Sequence, residues 1–187
     1  MTSIDYLPVK HSETVLAELM IPSYANFGGK IHGGLILSLM DKVAYVCATK
    51  HASAYCVTAS IDTVDFKQPV EVGELVTLMA SVNYVGYSSM VVGIRVISEN
   101  VKLHTVKHTN TSYFTMVAID DDHKPLKVPG LILENQEQLR RFIQAKRRKE
   151  LKTQHKEEIE QVLTSVQKEF NQMVLDNERC RLSFEIS

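Results

Sequence analysis

Asp41 carries a charge in a stretch that is otherwise apolar. Leu35, Ile36, Leu37, Leu39, Met40, Val43, Ala44, Tyr45 and Val46 make a run too long for an ordinary strand. The run is apolar nearly all the way round, which predicts a helix buried on most faces. An ionised carboxylate is costly to bury alone, so such a residue is paired, reaches water or does chemistry. Just before it lies Asn26-Phe27-Gly28-Gly29-Lys30-Ile31-His32-Gly33-Gly34. The backbone N–H groups at a helix start point outward with the positive end of the dipole behind them, and glycine lets an oxygen approach closely. A carbonyl oxygen placed there would have its developing negative charge stabilised. A carboxylate two turns on could activate water or attack directly. The two ends are about 12 Å apart along the axis at about 1.5 Å per residue, so loop curvature or a second subunit must close the gap. Position alone also leaves a structural pairing open for Asp41, with a lysine or a neighbouring strand.

The elements around this helix follow from periodicity. Residues 12–20 read as extended, and Pro22 to Gly29 as a loop. After Ala54 the period changes to two, with Val57, Ala59 and Ile61 alternating with Thr58, Ser60 and Asp62. Further strands are predicted from Leu75 to Val85, Ser89 to Ile97 and about Leu103 to Ile119. Asp120-Asp121-Asp122-His123-Lys124-Pro125 supplies turn chemistry after the last. Long strands with short connections imply an antiparallel sheet, since parallel strands need crossovers. From Glu134 to about Arg179 there is no Gly or Pro and charge dominates. An apolar stripe (Leu139, Phe142, Ile143, then Ile159, Val162 or Leu163, Val166, Phe170, Met173) predicts one long amphipathic helix or two in succession. The basic run Lys146-Arg147-Arg148-Lys149 reads first as a solvated face, and second as a contact for acidic groups. The boundary is set at residue 130, with domain 1–130 followed by a helical extension, 131–187.

Several function classes are excluded or demoted. A formal net charge of −1 gives no global basic field for nucleic acid. Met1 to Asp5 contains no basic stretch leading into an apolar region, so no secretory signal is expected. No apolar run approaches the roughly 20 residues a membrane span needs. Cys47, Cys56 and Cys180 are odd in number without a C-x-x-C pair, which predicts reduced thiols and a cytoplasmic protein. Cys47 reads as a small core hydrophobe. No H-E-x-x-H or compact His/Cys cluster suggests a metal, and none is expected. His104 and His108 are read as surface histidines on one strand face, and His32 as shaping the glycine turn. There is no G-x-S-x-G and no phosphate-binding G-x-x-x-x-G-K-[ST].

Asn26-x-x-Gly29-x-x-His32-Gly33-Gly34 followed by Leu39-Met40-Asp41 resembles the signature of the acyl-coenzyme A thioesterases of the hot-dog fold. This family includes the brain-type cytosolic acyl-CoA hydrolase and short bacterial relatives. The resemblance continues in order through Lys50-His51-Ala52, Cys56-Val57-Thr58-Ala59-Ser60-Ile61-Asp62, Phe66, Pro69 and Val72-Gly73. It goes on through Ser88-Ser89-Met90, Phe114, Val117-Ala118-Ile119-Asp120 and Lys124-Pro125, covering roughly residues 12–130. It implies an α+β fold with a long central helix wrapped by a curved antiparallel sheet. It implies Asp41 as general base or nucleophile, Asn26 positioning the carbonyl or the water, and Gly33 or Gly34 donating a backbone N–H to the thioester oxygen. Ala59, Ser60, Ile61, Ser88, Ser89 and Met90 match segments that contact coenzyme A in the family; on their own they read as ordinary strand residues. The Asn and Asp of one site come from two hot-dog units, so a homodimer at least is implied, and a hexamer as a trimer of dimers. No cofactor is expected beyond the coenzyme A of the substrate. A non-catalytic acyl-CoA sensor and an acyl-CoA hydratase or dehydratase are the alternatives; the latter uses an Asp/His motif absent here.

Overall fold

The computed structural model describes residues 5–169 and Arg179. Five antiparallel strands form one sheet in the order β2-β4-β5-β6-β3. They are β2 (Thr14–Leu19), β3 (Cys56–Ile61), β4 (Leu75–Val85), β5 (Ser89–Asn100) and β6 (Thr105–Ala118). Helix α1 (Gly33–Ala52) lies against one face and contacts all five strands. The alternation of the strands builds that face: Val76, Leu78 and Val82 of β4, Met90, Val92 and Val96 of β5, and Phe114 and Met116 of β6 are fully buried. Register shifts between Thr58 and Ser60, Val82 and Tyr84, and Val96 and Ile97 interrupt the ladders. Such bulges bend and twist strands, here around the helix. The expected antiparallel α+β architecture, with one central helix in a curved sheet, is present.

Helix α1 differs from expectation in one respect. Ile36, Leu39, Met40, Val43, Ala44, Cys47 and Ala48 are buried, but Tyr45 and Val46 are 40% and 41% exposed and Asp41 and Lys42 are exposed too. One sheet covers only one side of a cylinder. A helix apolar nearly all round therefore keeps an uncovered apolar face within a single protomer.

Smaller differences are local. Strands β1 (Tyr6–Pro8) and β7 (Gly130–Ile132) form a short parallel pair that no periodicity announces, being three residues each. His104 lies outside β6, in the preceding turn with φ of 53°, so it shares no strand face with His108. Helix α2 (Gln136–Glu169) is one continuous helix. One compact unit ends at Ala145 and a second starts at Lys146. Phe170, Met173, Cys180 and the side chain of Val166 lie outside the described residues. Cys47 and Cys56 are buried, and burial pushes the Cys47 thiol up to about 12, as suits a core residue.

Candidate active site

The glycine-rich segment before α1 is a closed loop. Asn26 N–H donates to Lys30 O at 2.7 Å, and Gly29 N–H returns to Asn26 O at 3.0 Å. Asn26 Oδ1 accepts from the N–H groups of Gly28 (2.9 Å) and Lys30 (3.2 Å), a side chain mimicking a backbone turn. Gly29 sits at φ of 76°, where a side chain would be strained. With its oxygen engaged, Asn26 has its amide N–H₂ left as a donor with no hydrogen bond among the described residues, while Phe27 at the tip is fully exposed.

The loop is anchored from below. Ile31 N–H donates to Val70 O, and Lys30 Nζ lies 2.6 Å from Glu71. The 70–74 segment is in turn held by buried Glu74, which accepts from Ser98 Oγ (2.6 Å), Glu71 N–H (3.0 Å) and Lys107 Nζ (2.9 Å). Burial pushes the Glu74 carboxyl upward, but the Glu71 N–H, Lys107 and Ser98 outweigh it and hold the group below its ordinary 4.5. A depressed carboxyl stabilises the fold above its unfolded pKa and loses that contribution as pH falls through the folded value. Glu74→Gln is expected to cost about 1–3 kcal/mol at neutral pH. The gap to wild type in urea midpoint should narrow below about pH 4.5. An unchanged gap across that range would remove this role.

At the helix start, His32 caps α1: Gly34 N–H donates to His32 Nδ1 at 2.9 Å. A Cβ on Gly34 would lie 2.8 Å from that ring, so glycine is what permits the cap. The cap bears on the two expected donors. Gly34 N–H is occupied by His32, whereas Gly33 N–H carries no hydrogen bond among the described residues, beside the Phe66 ring. His32 thus shapes the turn, as expected.

Two turns into α1, Asp41 Oδ1 accepts a 2.6 Å hydrogen bond from Thr58 Oγ1 on β3, and Thr58 also lies 3.4 Å from Met116 Sδ. The hydrogen bond fixes the direction of a carboxylate that is otherwise exposed. Thr58 is the residue that sequence reasoning missed as a site member. Read as an alternation, Val57, Ala59 and Ile61 look like the core set; in the fold Cys56 is the buried residue, and the shift at Ala59 breaks the period. Within one protomer the hydrogen bonds of Asn26 stay inside its own loop and none reaches Asp41.

Ala59, Ser60 and Ile61 lie on edge strand β3, and Ser88, Ser89 and Met90 at the β4–β5 turn and the start of β5. Strand β6 separates them: Ser60 pairs with Thr115, which pairs with Val91, two residues beyond Ser89, so the two segments lie one strand apart with a short offset. The Met90 side chain is 0% exposed, in the core opposite Met116, so its backbone is what this strand start offers a ligand. Among the described residues no group of three metal-ligating side chains converges, and no helix is long and apolar enough to cross a membrane.

Comparison with known proteins yields consistent matches. Residues 28–104 match the thioesterase superfamily. Protein VdlD of Helicobacter pylori is 44% identical over 142 residues, 76% of this chain and 81% of that protein. An uncharacterized acyl-CoA thioester hydrolase of Bacillus subtilis, YkhA, is 35% identical over 130 residues, 70% of this chain and 76% of its own. Among solved structures, an apo-hexameric acyl-CoA thioesterase aligns with a TM-score of 0.79 and 38% identity, over 81% of this chain and 97% of that one. The acyl-CoA hydrolase of Staphylococcus aureus, solved with butyryl coenzyme A, coenzyme A and coenzyme A disulfide, aligns at 0.77 with 30% identity, over 86% and 98%. That hydrolase has also been solved with an aspartate, a threonine or an asparagine changed to alanine. Its asparagine precedes the aspartate by fifteen residues and its threonine follows by seventeen, the spacing of Asn26, Asp41 and Thr58 here.

Proposed function

The chain belongs to the thioesterase superfamily, as an acyl-CoA thioesterase of the hot-dog fold, and from that premise we propose that Asp41 is its general base or nucleophile. The observation that carries this reading is the 2.6 Å hydrogen bond by which Thr58 aims the Asp41 carboxylate. As general base, Asp41 takes a proton from water, and the hydroxide adds to the thioester carbonyl. The oxyanion is met by the unoccupied Gly33 N–H at the positive end of α1. Collapse expels the coenzyme A thiolate and releases a carboxylic acid. As nucleophile, Asp41 forms a mixed anhydride that water then opens. Single turnover in ¹⁸O water separates the two when water opens the anhydride at the Asp41 carbonyl: its oxygen then stays on Asp41 and the first acid produced carries no label.

The site is completed by a second copy. Gly33 and Asp41 are about 12 Å apart on a straight helix, so one protomer cannot present both to one carbonyl. The uncovered apolar side of α1 is where another protomer's surface would bury area, and it carries Asp41. Asn26 from that copy, its oxygen already engaged, donates its amide N–H to the carbonyl or to the water. A homodimer follows, and a hexamer agrees with the assembly named for the aligned structure. Ala59, Ser60, Ile61, Ser88 and Ser89 provide the strand-end surface for coenzyme A. A cytoplasmic location suits its free thiols and its likeness to a rat enzyme named a cytosolic hydrolase, which is 31% identical over 37% of that protein.

The test is thiol release from a panel of acyl-CoAs. Acyl-CoA binding without thiol release would make the chain a binding module instead. Thr58→Val should lower kcat about tenfold by freeing the carboxylate, with Thr58→Ser restoring most of it. Equal loss in both variants would mean that Thr58 only packs.

A further inference from the structure

From Lys146 onward α2 belongs to the second compact unit, and between 146 and 165 every side chain except half-buried Glu150 is exposed. The apolar side chains there are ordered. Leu151, Ile159, Val162 and Leu163 fall within a stripe about 120° wide, at about 100° per residue, which they share with Arg148, Lys152 and His155. They are 61%, 45%, 58% and 62% exposed. Charge is ordered along the axis as well. Residues 146–156 carry six Lys and Arg and one Glu, and residues 157–165 carry three Glu and no Lys or Arg.

We propose that this part of α2 pairs antiparallel with the same helix of a second copy, Leu151 of one beside Ile159 of the other. In that alignment residues 146–156 of each helix run beside residues 154–164 of its partner, and Lys152 of one stands opposite Glu158 of the other. A parallel pair would set basic against basic and acidic against acidic, which is repulsive. Ion pairs within the helix, such as Arg147–Glu150 at 3.0 Å and Lys156–Glu160 at 3.8 Å, leave the apolar stripe uncovered. Helices of this kind are held chiefly by packing of an apolar face, so a partner is what the stripe lacks. Four apolar side chains make a thin seam. It suffices when the copies are already tethered at an effective concentration in the mM range, so the pairing rests on the homo-oligomer proposed above.

The test uses the full chain with Cys180→Ser as background. Leu151→Cys chains co-expressed with Ile159→Cys chains should form disulfide-linked dimers under mild oxidation. Leu151→Cys alone should not, because like positions would stand about 12 Å apart along the axis. Adding Glu157→Lys, Glu158→Lys and Glu160→Lys to both chains should abolish the cross-link at low salt, with thiol release from acyl-CoA unchanged. Dominant cross-linking of Leu151→Cys to itself would overturn the antiparallel arrangement. Absence of every cross-link in a chain that light scattering shows to be oligomeric would overturn the pairing alone. A monomer by light scattering would overturn the oligomer and the pairing together.

Discussion

Asp41→Ala is expected to lower kcat for acyl-CoA hydrolysis by about 10³-fold, the scale of a positioned base or nucleophile. Binding of coenzyme A and the melting temperature should barely move. Asp41 is exposed in the protomer and, among the described residues, bonds to Thr58, so its removal opens no cavity and leaves no buried charge. The informative measurement pairs kinetics with isothermal titration of coenzyme A. Loss of turnover with unchanged affinity assigns Asp41 to the chemical step. Full turnover in the variant would end the mechanism while leaving the fold assignment untouched. Asp41→Asn tests the same point with less change of shape: it retains an acceptor for Thr58 and removes only the basicity.

The second large effect concerns Asn26. Asn26→Asp should lower kcat about 10²-fold, the usual loss for one donor to a developing oxyanion. This change keeps the oxygen that accepts from Gly28 and Lys30, so the loop survives while a charged carboxylate oxygen replaces the amide donor. The sharper experiment mixes subunits. Asn26→Asp and Asp41→Ala chains are each inactive alone, but a mixed dimer contains one site built from the two intact residues. Random pairing makes half the dimers mixed, each with one of two sites restored, so about a quarter of wild-type activity should return. No recovery on co-expression, with mixed dimers demonstrated by mass, would place both residues of one site on the same chain.

The legibility of this chain divides along physical lines. Strand β4 was readable to the residue, because Leu75 to Val85 alternates and ends in the Gly86 turn. Helix α1 was readable because a glycine pair opens it and no strand runs so long. The β1–β7 pair was not: three-residue strands have no period to detect. His104 was misplaced because a left-handed turn residue breaks a strand without changing its composition.

The sequence by itself determined the ingredients: a helix start with exposed N–H donors, a carboxylate two turns along, and an asparagine in the glycine loop before it. These depend on residue type and short spacing, which a one-dimensional string records in full. Tertiary structure decided how they are presented. His32 folds back and occupies the Gly34 N–H, whereas the Gly33 N–H carries no hydrogen bond among the described residues. Strand β3 brings Thr58, on the face of buried Cys56, to Asp41 across seventeen residues of chain, and the register shifts only after it. The sheet buries one side of α1 and leaves Asp41 at the margin, bonded to Thr58 yet exposed, so the charge that looked costly to bury is not buried in a protomer at all. The reason is general: which face a residue occupies depends on what packs against its element, and that partner lies far away in sequence.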